Sequence, residues 1–582
     1  MNKKNSPIKG GSSPKIRCNF IHSPDPLYED NQLYGVKFMP VWAYTLAGHI
    51  PNDGRFELCL YDMRIVDVDD VQKGDVFLFS GINQDLSKIK SLNEQFKQKY
   101  PKSLSMLGGP ICWSFDQAGD IEKLDFIDVI VIGDGEDIIG NLLDEFQHGK
   151  KIESIVRVEK RFDLENSLPF YDPFVKNTID QYYGAVVEVS RGCPFLCEFC
   201  DIRILPDNNR THQKPTAKII AEIEHLCSLG VNKILLACDN FIGDPNLAQE
   251  VVDGLLQWRT KVDYKPSFYT WTTINLQNYP TLMKKMRLLG FDMLFIGIES
   301  FNTNSLLETA KTQNSAVGMV EVIRDIQSYG FLVVAGLIFG FDSDDESCFE
   351  ITKKGLLESG LISGDPSLLT ALPGTPLYRR MKLSGRLRPV GFGLGGYKYQ
   401  TNIKYLMDKH KLIHGFQQFV DGYCQAKYQF ERFEYLIQIL KGDNYQPLDV
   451  KGYGDIAQFS RMIFGNWKAL KQMAKRLFIF AANPINLYYV FRGWLLILSN
   501  RQIKDGFNYF QFWVFAWTNA ILKYKTLSTK DFDIDSVDDG FDINNLIPEG
   551  YQETADEKIP QNKIDAQVRA TTKQLEKIVL NG

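Results

Sequence analysis

The chain has 582 residues, too many for one compact core, and at roughly 150 residues per domain it makes three to four. Its net charge of -5 supplies no general field for nucleic acid, and 44% hydrophobic against 24% charged residues is a globular balance, not a disordered one. The opening MNKKNSPIKGGSSPK has no apolar stretch behind it, so it is not a signal peptide, and no run of about 18 uncharged apolar residues offers a spanning helix. The expectation is a cytoplasmic protein with scope for peripheral membrane contact.

In chain order, residues 1–16 read as a disordered leader. Residues 17–165 alternate strands and helices, with strands expected at 58–61, 76–80, 103–107 and 129–132 and an amphipathic helix over 86–99. Glycine-rich turns, Leu107-Gly108-Gly109-Pro110 and Gly133-Asp134-Gly135-Glu136, follow two of the strands. That pattern predicts an open, parallel, Rossmann-like sheet. A second alternating run fills 166–395, with strands expected at 185–190, 233–237, 268–274, 293–298, 332–338 and 368–372. Between the first two, Ile219, Ile220, Ile223 and Leu226 mark one face of a helix over 216–229. Gly230, Gly290 and Gly330 stand where helices need a left-handed cap. Six strand–helix units predict a (βα)6 partial TIM barrel with its reactive groups at the strand C-termini.

Residues 396–526 turn helical, with Leu406, Ile413, Phe416, Phe419, Val420 and Tyr423 at helical spacing. Within 461–525 ten Lys or Arg face one acid, Asp505, and aromatics such as Trp494, Trp513 and Trp517 are interleaved. Such a stretch suits either an anionic membrane surface or an internal helical cap with a solvated basic face. No nucleic-acid recognition module accompanies it. The last segment, 527–582, reads as an acidic, partly disordered tail, and its run Asp531–Ser536 reads as a solvated linker.

Of the ten cysteines, seven stand singly among apolar residues, as buried thiols do in a reducing compartment. The other three, Cys193, Cys197 and Cys200, lie within eight residues directly after an expected strand. Thiolates are the usual ligands of iron–sulfur clusters, and three of them leave one iron of a four-iron cube open. A zinc site completed by His212 is the alternative, although zinc sites more often pair two CxxC hairpins.

This CxxxCxxC after the first barrel strand, with Phe199 before the last cysteine, resembles the radical S-adenosylmethionine (SAM) superfamily over about residues 180–380. The resemblance implies a 4Fe–4S cluster held by Cys193, Cys197 and Cys200. It also implies SAM bound at the open iron and cleaved reductively to a 5′-deoxyadenosyl radical. An external electron donor such as ferredoxin or flavodoxin would supply the electron. Residue by residue, it puts Asp239 and Asn240 beside the methionine part of SAM, where relatives more often carry two acids and this chain has Cys238 first. It puts Gly297, Glu299 and Ser300 near the ribose, and Gly336, Ile338 and Gly340 beside the adenine.

The leading α/β domain resembles the cobalamin-binding domain of one branch of that superfamily. Gly108, Gly109, Gly133, Gly135 and Glu136 lie in its glycine-rich turns. The loop Tyr61–Asp67 has no histidine to ligate cobalt from below. Relatives with a similar helical C-terminal region methylate hopanoid lipids. The function this implies is methyl transfer to a carbon of a hydrophobic small molecule or lipid. Oxidative ring closure on the same scaffold, or a non-catalytic cobalamin or redox sensor, are the rivals.

Overall fold

The computed structural model describes residues 15–24, 37–205, 207–308, 318–389, 399–450, 467–525 and 527–546. Strands β1 (Ile16–His22), β2 (Phe56–Asp62), β3 (Val76–Ser80), β4 (Leu104–Gly108), β5 (Val129–Ile132) and β6 (Ile155–Arg157) form one sheet in the order β2-β1-β3-β4-β5-β6. Every neighbouring pair is parallel. All four residues of β5, VIVI, are buried, the continuous apolar run expected of a strand covered on both faces. The helix Leu86–Lys99 lies where the periodicity placed it, burying Leu86, Ile89, Leu92 and Phe96.

One expectation fails at the N-terminus. The leader was to end at residue 16, yet Ile16 opens β1, an inner strand with two partners. IRCNFIH hides this because it carries Arg17 and Asn19. Asn19 is fully buried, and its Nδ2 donates to Gln72 O at 2.9 Å while its Oδ1 has no partner among the described residues, so the fold satisfies it only in part. Residues 1–14 lie outside the described residues.

The second sheet runs β14-β13-β12-β11-β10-β7, again all parallel. Its strands are β7 (Ala185–Glu188), β10 (Lys233–Ala237), β11 (Ser267–Thr272), β12 (Phe291–Glu299), β13 (Leu332–Phe339) and β14 (Ser363–Leu368). A two-residue hairpin, β8 (Ser190–Arg191) with β9 (His212–Gln213), brackets the cysteine loop. Sequential order with a helix after each strand is the six-unit partial barrel predicted from the sequence. Gly290 follows its helix at φ +110°, and a Cβ there would sit 2.8 Å from Pro266 O, so the cap demands glycine. The last strand departs from expectation. It lies at 363–368, not 368–372, because SGDPSL reads as a turn. Pro366 is tolerated because β14 is an edge strand, paired only with β13.

The C-terminal region is mainly helical, with helices Lys409–Cys424, Ala426–Ile439, Trp467–Ala481, Pro484–Ser499 and Gly506–Tyr524. Two readings need correction. Residues 400–405 form a strand, β15 (Gln400–Tyr405), so Leu406 precedes the helix. Asp533–Ser536 is not a linker but β16, parallel to β15, with Ile534 buried and Asp533 bound by Arg388. The rest of the tail, 547–582, and residues 451–466 lie outside the described residues. Trp513 stacks on Phe433 at 4.5 Å and, with Trp517, is fully buried. The buried pair Arg287–Asp505, shared with Tyr509, fastens this layer to the barrel helix Pro280–Leu289.

Candidate active site

The cysteine loop leaves the barrel through Gly192, at φ +99°. A Cβ there would lie 2.0 Å from Arg210 O, so no other residue fits. The Gly192 amide donates to Asp239 Oδ2 at 2.5 Å, and the Cys193 amide to Asn208 O at 2.8 Å. Asn240 Nδ2 approaches Cys193 Sγ at 3.9 Å. Cys197 is buried, and Cys193 and Cys200 are half-buried. Burial pushes the Cys193 thiol up to about 11 and raises Cys200 as well, with the neighbouring cysteines adding to both shifts.

Three soft donors on one loop, in electrostatic reach of one another, match the ligand set of a four-iron cube with one open iron. Binding would replace the thiol protons by iron. Among the described residues no three Cys, His, Asp or Glu side chains converge on one ion-sized point. A cube asks for no such convergence, since each thiolate takes a different iron. His212, the residue a zinc site would need, instead sits in β9 with Nε2 2.7 Å from Asp207 O.

A clamp that sequence reasoning missed holds the loop from the far side. Glu198, between Cys197 and Cys200, accepts two hydrogen bonds from Arg380, at 2.6 and 2.8 Å. Arg380 also donates to Asp342 at 2.7 Å, and Arg386 meets the same carboxylate at 2.6 and 2.8 Å. These residues lie 140 or more positions from the cysteines, so no local pattern could reveal them.

At the C-terminal ends of the strands, Asp239 and Asn240 follow β10 directly. Both are committed to the cysteine loop, so their observed work is to position it. Burial raises the Asp239 carboxyl, which the Gly192 amide and the Arg161 charge partly counter. Cys238 is buried against Thr270 and Trp271 O. Glu299 is buried at φ +65°, rare for a side-chain-bearing residue, and the β12–β13 register slips between Gly297 and Glu299. Such strain of about 1–3 kcal/mol is commonest at ligand sites. Ser300 Oγ accepts from the Asn302 amide. Gly336 pairs with Gly297, which brings two bare backbones side by side below the half-buried Ile338. Gly340 has a different reason to be glycine. It stands at φ +95°, and a Cβ would lie 2.6 Å from the Tyr405 ring.

The first sheet meets the barrel at this same end. Arg191 is buried among Glu188 (2.7 Å), Glu136 (2.6 Å) and Asp134 (3.2 Å). Burial alone would weaken its charge, but the three carboxylates outweigh that and hold it firmly protonated. Arg161 reaches Asn208, and the Phe162 amide donates to Asp134 Oδ2 at 2.9 Å. A small cleft of about 90 Å³ lies here, walled by Gly109, Trp113, Gly133, Asp134 and Arg161 from the first sheet's side and by Leu205 from the segment after the cysteines. Of the glycine-turn residues, Gly109 and Gly133 line it. Gly108 ends β4, Gly135 lies under Leu46, and Glu136 is engaged by Arg191.

Residues 187–354 match the model of the Radical SAM superfamily. The match lies within the barrel and marks that segment as a radical SAM domain, a domain type whose enzymes work with a 4Fe–4S cluster and SAM. Among curated relatives, the hopanoid C-2 methylase of Rhodopseudomonas palustris is 26% identical over 443 residues, 74% of this chain and 80% of that protein. An uncharacterized methyltransferase of Synechocystis is 28% identical over 361 residues; the match takes in 61% of this chain and 65% of that one. Among solved structures, the cobalamin-dependent S-adenosylmethionine radical enzyme OxsB, with aqua-cobalamin and S-adenosylmethionine bound, superposes with a TM-score of 0.54 at 13% identity. It covers 91% of this chain and 83% of its own. This likeness bears on the fold.

Proposed function

We propose that the protein transfers a methyl group to a carbon of a hydrophobic small molecule or lipid, using cobalamin together with the cluster and SAM. The observation that carries this reading is the cleft between the two parallel sheets. Its lining is the glycine-turn edge of the first sheet and the segment 158–161, closed by Leu205, which follows the cysteines on the barrel side. A corrin resting on Gly109 and Gly133 would face the cluster side of the barrel. The cleft takes only part of so large a cofactor, so the remainder would lie along the open sheet edge. When bound, cobalamin supplies the methyl group, and the cluster and SAM supply the radical that opens the substrate carbon to it.

The chain's own residues prepare that meeting. Cys193, Cys197 and Cys200 would hold the cluster. Asp239 and the Glu198–Arg380 pair fix the loop from two sides. Arg191, inside its three carboxylates, holds the first sheet in register with the loop. Ferredoxin or flavodoxin is the class of donor proposed for the electron. The similarity to a hopanoid methylase supports an apolar substrate.

The test is uptake of hydroxocobalamin by the anaerobically reconstituted protein. No histidine stands on the Tyr61–Asp67 loop. His22, at the end of β1, accepts a hydrogen bond from Trp42, and burial lowers its pKa to about 3. Stoichiometric uptake with a spectrum free of imidazole ligation is expected. No uptake would leave a radical enzyme without this route to methyl transfer.

A further inference from the structure

The helix Pro484–Ser499 is built inside out. Its buried residues are Asn486, Gly493 and Ile497. Asn486 Nδ2 donates to Phe480 O at 3.0 Å, and Gly493 admits the Trp513 ring to 2.5 Å from where a Cβ would stand. The inward face is thus chosen for smallness and one satisfied amide. The outward face carries Leu487, Tyr488, Phe491, Trp494 and Leu498, each 39–59% exposed, and Phe478 of the preceding helix is 75% exposed. Positions 487, 491, 494 and 498 recur at helical spacing, so these side chains form one stripe along about 17 Å of helix. A helix of the barrel does the reverse: Thr216–Ser228 buries Ile219, Ile223 and Leu226.

A contiguous apolar stripe of this kind marks a surface that is covered in use. Its charge decides what covers it. From Trp467 to Lys504 the sequence has no Asp or Glu and seven Lys or Arg. Lys475, Arg492, Arg501 and Lys504 are exposed. A second copy of the chain meeting this face would bring the same cations against each other. Among the described residues no helix is long and apolar enough to cross a membrane. An apolar stripe whose own segment carries only cations, on a helix too short to span, fits the headgroup boundary of an anionic leaflet, with the helix lying in the plane.

We propose that this face docks the protein on anionic lipid. The residues differ from those the sequence suggested. Trp513 and Trp517 are core, while Phe478, Phe491 and Trp494 are available to insert. The proposal does not rest on the reaction assigned above.

The experiment uses the full chain and sedimentation with phosphatidylcholine vesicles, with or without phosphatidylglycerol, at low and high salt. Wild type should sediment with the anionic vesicles, less so at high salt. Either pair, Leu487→Ser with Phe491→Ser or Lys475→Glu with Arg501→Glu, should weaken binding about tenfold or more. Brominated lipid should quench wild-type tryptophan fluorescence on the anionic vesicles, and Trp494→Phe should remove that quenching. This readout does not depend on the folding of the serine pair. Three results would overturn the proposal: wild type left in the supernatant at low salt, equal binding to neutral vesicles, or a wild-type dimer that the serine pair dissolves. Sedimentation without quenching would also overturn it, since nothing would then insert.

Discussion

Cys193, Cys197 and Cys200 differ from the other cysteines in their surroundings. Cys18 and Cys112 are fully buried among apolar strands and helices, which pushes their thiols far up. The triad instead lies on a loop whose backbone is pinned by Asp239 and Asn208. Replacing any one of the three by Ala should abolish iron–sulfur absorbance after anaerobic reconstitution, while Cys59→Ala and Cys424→Ala should leave it intact. Iron and sulfide analysis of each variant checks this. Stoichiometric zinc without iron in the wild type would refute it. At this scale the triad was legible because its ligands lie within eight residues of sequence. Glu198, Arg380 and Arg386 were not, because a pair that closes across the barrel leaves no mark on either local segment. Gly340 was read as standing beside the adenine, and the ring that in fact constrains it, Tyr405, comes from a later strand.

Between elements, the end of β2 is tied to the approach to β7. Asp62, almost fully buried, accepts from Arg64 at 2.6 Å and from the Tyr182 hydroxyl at 3.1 Å. Burial would raise its carboxyl, but Arg64 and His22 overcome that and hold it at about 2. The folded value lies below the ordinary one of 3.8, so the stabilisation is complete above about pH 4 and is lost as pH falls through 2. Asp62→Asn strands the Arg64 charge and should cost about 3–5 kcal/mol near neutrality. Urea melts of wild type and variant should converge as the pH drops from 5 toward 2. A gap independent of pH would show that shape, not charge, matters here. Elements were legible where periodicity ran unbroken, as in Leu86–Lys99 and β10. They were missed where a polar residue is buried within a strand, as Asn19 is in β1 with only its Nδ2 paired among the described residues, or where an edge position excused Pro366 in β14.

For the whole molecule, two parallel sheets meet end to end at the cysteine loop, and a helical layer is fastened behind by Arg287 and Asp505. In the function proposed, this meeting lets a methyl donor and a radical act on one substrate. One SAM would give up its methyl group and another would be cleaved, so two products must rise together. The decisive measurement supplies reconstituted, cobalamin-loaded protein with methyl-deuterated SAM, a reductant and an apolar cell extract. The account predicts S-adenosylhomocysteine and 5′-deoxyadenosine in equal amounts, with deuterated methyl in an apolar product. Substrate-dependent 5′-deoxyadenosine with no S-adenosylhomocysteine would contradict methyl transfer and assign the fold to another radical reaction.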